Sequence, residues 1–72
     1  MDEEVYKLLK LVGTSEKSIE EAINVALAKA NNTIEELKWF KVVETRGDIQ
    51  GGQVHRYQVV LEVGFKLHHA NE

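Results

Sequence analysis

Few side chains in this chain of 72 residues have the chemistry to form a site, and the one that stands apart is the only tryptophan, Trp39. Strand alternation, set out below, directs its indole away from the apolar layer of its own subunit. Leaving so large an aromatic in water is costly, so it calls for a cover: a ligand, another copy of the chain, or both. Gln58 falls on the same side and carries a donor and an acceptor on one short arm; taken alone it reads as a solvated strand residue. Arg46 has a guanidinium that can hold a phosphate or stack at the rim of a site, and that serves equally well in a surface or inter-subunit salt bridge. Strict alternation puts Arg46 in the core-facing layer, opposite Tyr57. Lys66 could likewise meet a phosphate, but a solvated lysine is the simpler reading.

Other chemistries find less support. His55, His68 and His69 are of metal-ligating type, yet adjacent residues of a strand point to opposite faces, so His68 and His69 make a poor chelate and no metal is expected. Gly13-Thr14-Ser15 precedes a helix and suggests an anion-binding turn; it lacks a full phosphate-loop pattern, so turn and capping chemistry is the default. The chain has no cysteine, no serine–histidine–acid pattern and no carboxylate pair of arguable geometry, so no catalytic site is expected.

The elements that must position these residues are constrained by size. A chain of 72 residues is expected to form a single domain (1–72) and buries only a modest share of its surface. Domains this small rely on disulfides, metals or oligomerisation, and without cysteine the open route is oligomerisation. The formal net charge of -3, with both signs interspersed, argues against a general nucleic-acid binder. Neither a signal peptide nor a bilayer-spanning stretch is visible. A cytoplasmic location is therefore expected, and Asn31-Asn32-Thr33 is read as a chance match to a glycosylation acceptor.

The expected fold class is α+β, in the order β-α-β-β. Val5 to Val12 is short and nearly all apolar, which suggests a strand ending near Gly13. Ile19, Ala22, Ile23, Ala26, Leu27 and Ala30 form one apolar helical stripe with small residues interleaved. Ser18 and Glu21 fit a capping box at its start. Two long strands follow, Leu37 to Ile49 and Val54 to Leu67, joined through Gln50-Gly51-Gly52-Gln53, a strong hairpin signal. In the second of these, Tyr57, Val59, Leu61, Val63 and Phe65 alternate with Gln58, Val60, Glu62 and Gly64, so the odd-numbered face is the core face.

Placing Ile49 opposite Val54 on an unbroken ladder sets Val42 against Leu61 and Phe40 against Val63. It sets Lys41 against Glu62, Val43 against Val60, Thr45 against Gln58, and Trp39 against Gly64. Lys41 and Glu62 make a favourable cross-strand charge pair in this register, and Gly64 leaves room for an indole or a ligand. A crossover helix returns the chain on one side of the sheet, so the last strand can lie centrally, antiparallel to both neighbours. One small helix packed on a three-stranded antiparallel sheet covers one face. The other, with Trp39, Val43, Thr45, Gln58 and Val60, is left for assembly or ligand binding.

In these segments the sequence resembles the dodecins, small flavin-binding proteins of bacteria and archaea. The likeness runs over nearly the whole chain. It is carried by Val5-Tyr6-Lys7, by the run from Leu11 to Ala22 through Gly13-Thr14-Ser15-Glu16-Lys17-Ser18, by Trp39-Phe40, by Val43-Glu44-Thr45-Arg46-Gly47, and by Tyr57-Gln58-Val59 with Val63-Gly64-Phe65. The resemblance implies a hollow homododecamer with paired flavins, FMN or riboflavin, near two-fold axes between subunits. It implies that Trp39 stacks on the isoalloxazine ring and that Gln58 hydrogen-bonds its polar edge. Thr45 and Arg46 would lie at the outer end of the site. It further implies storage and photoprotection of free flavin rather than catalysis, and, in some members, coenzyme A as a second ligand. A ligand-free oligomeric scaffold, with Trp39 as an interface anchor, is the alternative.

Overall fold

The computed structural model describes residues 3–67, so the histidine pair at 68–69 lies outside the described residues. Within them the chain forms β1 (Tyr6–Ser15), α1 (Ile19–Asn31), β2 (Leu37–Gln50) and β3 (Gln53–Lys66). The strands make one antiparallel sheet in the order β1-β3-β2. This is the expected α+β arrangement, with the last strand central. No helix among the described residues is long and apolar enough to cross a membrane.

The alanine stripe explains how the helix docks. Ala22, Ala26 and Ala30 are buried, and with so little side chain between them the helix backbone lies close to the sheet. Beneath it are Val59, Leu61 and Val63 of β3, all fully buried, with Leu11, Ile23, Leu27 and Leu37 packed around this cluster. Gly13 is the point of closest approach: a Cβ there would stand 2.0 Å from the Ala22 carbonyl oxygen and 3.0 Å from the Ala26 Cβ. β1 therefore does not end at Gly13 but runs through it to Ser15, because the glycine is a packing site within the strand rather than a turn.

Ser15 and Ser18 divide the work at the start of the helix. The Ser18 hydroxyl accepts from the Glu21 amide at 3.0 Å, as a capping residue should. The Ser18 amide does not wait for the Glu21 carboxylate, the second half of the expected box. It donates to the Ser15 hydroxyl at 3.3 Å, which also accepts from the Lys17 amide at 2.9 Å. At the other end of the molecule, Gly51 (φ 63°) and Gly52 (φ 76°) form the two-residue turn between Gln50 and Gln53. Two successive positive φ values are what a tight hairpin of this twist requires.

The register departs from an unbroken ladder at three places in the β2–β3 pair. From Trp39 to Val42 the pairing is the expected one, with Trp39 opposite Gly64, Phe40 opposite Val63, Lys41 opposite Glu62 and Val42 opposite Leu61. Val43 is then an extra residue on β2, so Glu44 rather than Val43 faces Val60. Thr45 faces Val59 instead of Gln58, and Arg46 faces Gln58 instead of Tyr57. His55 is an extra residue on β3 and restores the original phase at Ile49 and Val54; Lys38 is a third insertion, near the start of β2. Each bulge reverses the faces of the residues beyond it.

Replacing Gly13 with alanine forces a methyl group into the helix backbone. We expect Gly13→Ala to destabilise the fold by about 3 kcal/mol, seen as a lower midpoint in chemical denaturation at matched protomer concentration.

Candidate functional site

The helix packs chiefly over β1 and β3, so β2 gets little cover on either side. Every residue from Lys38 to Gln50 is exposed. On the face away from the helix the bulged register lines up Trp39, Lys41, Glu44 and Arg46 on β2 with Gly64, Glu62, Val60 and Gln58 on β3. Leu8, Lys10, Val12 and Thr14 complete this face from β1. This broad open surface is the candidate site.

Trp39 is held from one side only. A Cβ built on Gly64 would fall 2.3 Å from Cζ2 and 2.4 Å from Cε2 of the indole, so the ring lies flat on the glycine backbone. Tyr6 from β1 meets it edge-on, with ring centroids 5.1 Å apart and planes at 61°. Even so, Trp39 is 46% exposed. An indole fixed on one face by backbone, braced at an edge and bare on the other face is a preformed stacking surface.

Tyr6 is itself anchored. Its hydroxyl donates to the Glu4 carboxylate, whose other oxygen accepts from Lys66 Nζ at 3.3 Å. The hydrogen bond from Tyr6, reinforced by Lys66, holds the Glu4 carboxyl below its ordinary range. The same bond to Glu4 is the main cause of the raised Tyr6 phenol, because ionisation would break it and set two negative charges together.

Gln58 and Arg46 form the other chemical group on this face. Arg46 Nε donates to Gln58 Oε1 at 2.9 Å, while Arg46 Nη1 stands 3.6 Å from the Glu44 carboxylate. The bulge at Val43 makes this contact available by moving Arg46 into the outer layer. The same shift takes Thr45 out of it, to the helix side opposite Val59. The four residues expected to meet a ligand are therefore divided: Trp39, Gln58 and Arg46 share a face and Thr45 does not. Tyr6 and Glu4, which brace the tryptophan, escaped the sequence reading; the family motif Val5-Tyr6-Lys7 contained the one signal for Tyr6.

Further along the hairpin, Asp48 accepts from or pairs with His55 Nδ1 at 3.1 Å, and this contact lowers the Asp48 carboxyl below its ordinary range. Arg56 reaches Glu16 at 3.1 Å and ties the hairpin to the turn before the helix. On the helix side, an open apolar groove of about 360 Å³ runs between helix and β2, lined by Leu27, Ala28, Leu37 and Phe40 among others, with Trp39 at its rim.

The model of the dodecin family matches residues 5–68. The chain belongs to the dodecin family. It is 57% identical over 63 residues to the dodecin of Thermus thermophilus, covering 88% of this chain and 91% of that protein. It is 30% identical over 63 residues to the calcium dodecin of Mycobacterium tuberculosis, covering 88% of this chain and 89% of that one. A crystal structure of the Thermus thermophilus protein tt0972 superposes with a TM-score of 0.90 at 53% identity, covering 94% of this chain and 100% of that one. The helix on a three-stranded antiparallel sheet is thus the dodecin fold.

Two measurements probe how this dodecin holds its tryptophan. Gly64→Ala displaces the indole from the strand, so the emission maximum of this single-tryptophan protein shifts to longer wavelength as the ring enters water; an unchanged spectrum counts against the seating. In a Tyr57→Phe background, alkaline absorbance titration follows Tyr6 alone. Its midpoint lies above the ordinary phenol value of about 10, and Glu4→Gln lowers it by replacing the charged acceptor with a neutral carboxamide oxygen.

Proposed function

We propose that this dodecin is a flavin-sequestering protein that holds FMN or riboflavin between copies of itself in a homododecamer. Trp39 stacks on the isoalloxazine ring and Gln58 bonds its pyrimidine edge. The observation that carries the reading is the half-bare indole seated on Gly64, on a sheet face that the subunit leaves open. A flat, electron-poor heterocycle matches the free face of that ring in shape and in electronic character.

Strand geometry adds a condition. Gly64, beneath Trp39, and Gln58 are six residues apart on β3, about 20 Å at the usual rise of a strand. A fused tricyclic ring is much shorter than that. That spacing favours a site in which Trp39 of one subunit and Gln58 of another meet the same flavin. The exposed apolar residues of β2, among them Phe40, Val42 and Ile49, supply surface for such assembly. Thr45, on the other face, would meet only a ligand reaching around the strand or one held by a neighbouring subunit.

A ring enclosed between tryptophan and a second flavin has little space for a substrate, so the role is storage and photoprotection rather than turnover. Electron donation from a close indole to an excited flavin would quench it. The calcium dodecin of Mycobacterium tuberculosis suggests another ligand class. Among the described residues of this chain, however, no group of three or more His, Cys, Asp or Glu is placed to hold a metal ion. Nothing in the fold or the relatives supports a coenzyme A site, and the proposal is confined to flavin.

The test is a fluorescence titration of riboflavin with the apo-protein, beside light scattering for the assembly. Wild type quenches the flavin, and Trp39→Ala binds it about tenfold or more weakly with less quenching. Unchanged flavin fluorescence at micromolar protein, with an intact oligomer, would leave a ligand-free scaffold as the function.

A further inference from the structure

We infer that Arg46 acts by orienting the Gln58 carboxamide, so that Gln58 meets its ligand with the amide in one fixed sense, and that Arg46 is not a phosphate anchor. The inference rests on the flavin reading above and concerns how that site selects what it binds.

A glutamine on an open strand can turn its carboxamide over, presenting oxygen or NH2 in either direction. Here the Arg46 Nε–H donates to Oε1 at 2.9 Å. The flipped amide would set its NH2 group against the guanidinium, donor against donor. Arg46 thus ties Oε1 to its own side and leaves the Nε2 hydrogens to face the other way. One lone pair of Oε1 remains. Gln58 then offers a donor, with an acceptor beside it, in a set order along one line. The complementary ligand edge has a carbonyl next to a ring N–H, as in a cyclic imide.

The surroundings of Arg46 argue against phosphate. Nη1 of the guanidinium lies 3.6 Å from the Glu44 carboxylate on the same face, so the local charge is already countered by an anion of the same chain. Nε is engaged by Gln58. A phosphate ester would have to displace Glu44 or bind beside it, against like-charge repulsion. The bulge at Val43 gives the pairing its structural cause, since without the extra residue Thr45 would stand opposite Gln58. Arg46 is on this account a positioning residue, and the gain from its charge-assisted hydrogen bond appears as amide order, not as ligand contact.

Titrating FMN and riboflavin in parallel separates the two roles, because the ligands differ only in the phosphate. Arg46→Ala weakens both by a similar factor, about tenfold, and so does Arg46→Lys, which keeps the charge but lacks the Nε–H fork. In a Gln58→Leu background, Arg46→Ala causes no further loss of riboflavin affinity. Arg46→Lys, the milder change, serves in place of Arg46→Ala should the alanine variant fail to assemble. Loss of FMN binding with riboflavin unchanged, rescued by Arg46→Lys, would overturn the inference in favour of a phosphate anchor while leaving the flavin reading standing. Additive effects of Arg46→Ala and Gln58→Leu would overturn it too. Wild-type protein that binds neither flavin defeats the flavin reading and this inference together.

Discussion

A 13-residue helix is laid against a sheet whose two longer strands have 14 residues each. At the usual rises the helix spans about 20 Å and each long strand about 46 Å. The helix can cover less than half of the hairpin, and only on one side. The described residues accordingly extend over 56 Å in one direction and only 20 and 14 Å in the others. Val59, Leu61 and Val63 are sealed under the alanine stripe, while Phe40, Val42, Ile49 and Val54 of the hairpin remain in solvent. A subunit so built holds its core together and leaves a large apolar remainder. Both that apolar remainder and the open outer face of the sheet trace to the mismatch in length.

Glycine places the two contacts that matter most. Gly13 lets the helix backbone reach β1, so the core can form from alanines rather than long side chains. Gly64 does the same on the opposite face, where the missing side chain gives the Trp39 ring its seat. A side chain at either place would push apart what it now joins. The close approach that builds the core and the one that prepares the stacking surface are the same device, used on the two sides of one sheet.

Most of the fold was legible because its signals were periodic. The helical stripe from Ile19 to Ala30, the odd-numbered core face of β3 and the two-glycine turn each correspond to an element observed. The end of β1 was misplaced because Gly13 looks like a turn residue, and only the neighbouring helix shows that it is a contact. The phase of β2 beyond Val42 was lost because alternation assumes equal residue counts on both strands. A signal was present: Trp39 and Lys41 are odd-numbered, while the charged series Glu44, Arg46, Asp48 is even-numbered. Both can share a polar face only if one residue between them is extra, and adjacent Val42 and Val43 mark the place. The bracing of Trp39 by Tyr6 and Glu4 joins residues more than thirty positions apart, which no local pattern reports.

The bulge at Val43 also decides which residues of β2 pack toward the helix and which stand on the open face. Before it, β2 sends Phe40 and Val42 toward the helix side and Trp39 and Lys41 outward; after it, Arg46 is outward and Thr45 inward. Without the extra residue, a hydroxyl would stand beside Gln58 and could offer either a proton or a lone pair. With it, a guanidinium stands there and can only donate. That difference turns a side chain of ambiguous polarity into one of defined polarity, at no cost to the layer of Val59, Leu61 and Val63 behind it. His55, the compensating insertion on β3, then brings Ile49 and Val54 back into phase. The shift made by this pair of bulges is confined to the stretch between them, while Trp39 to Val42 and the hairpin turn keep the register of an unbroken ladder; Lys38 is a separate insertion before Trp39.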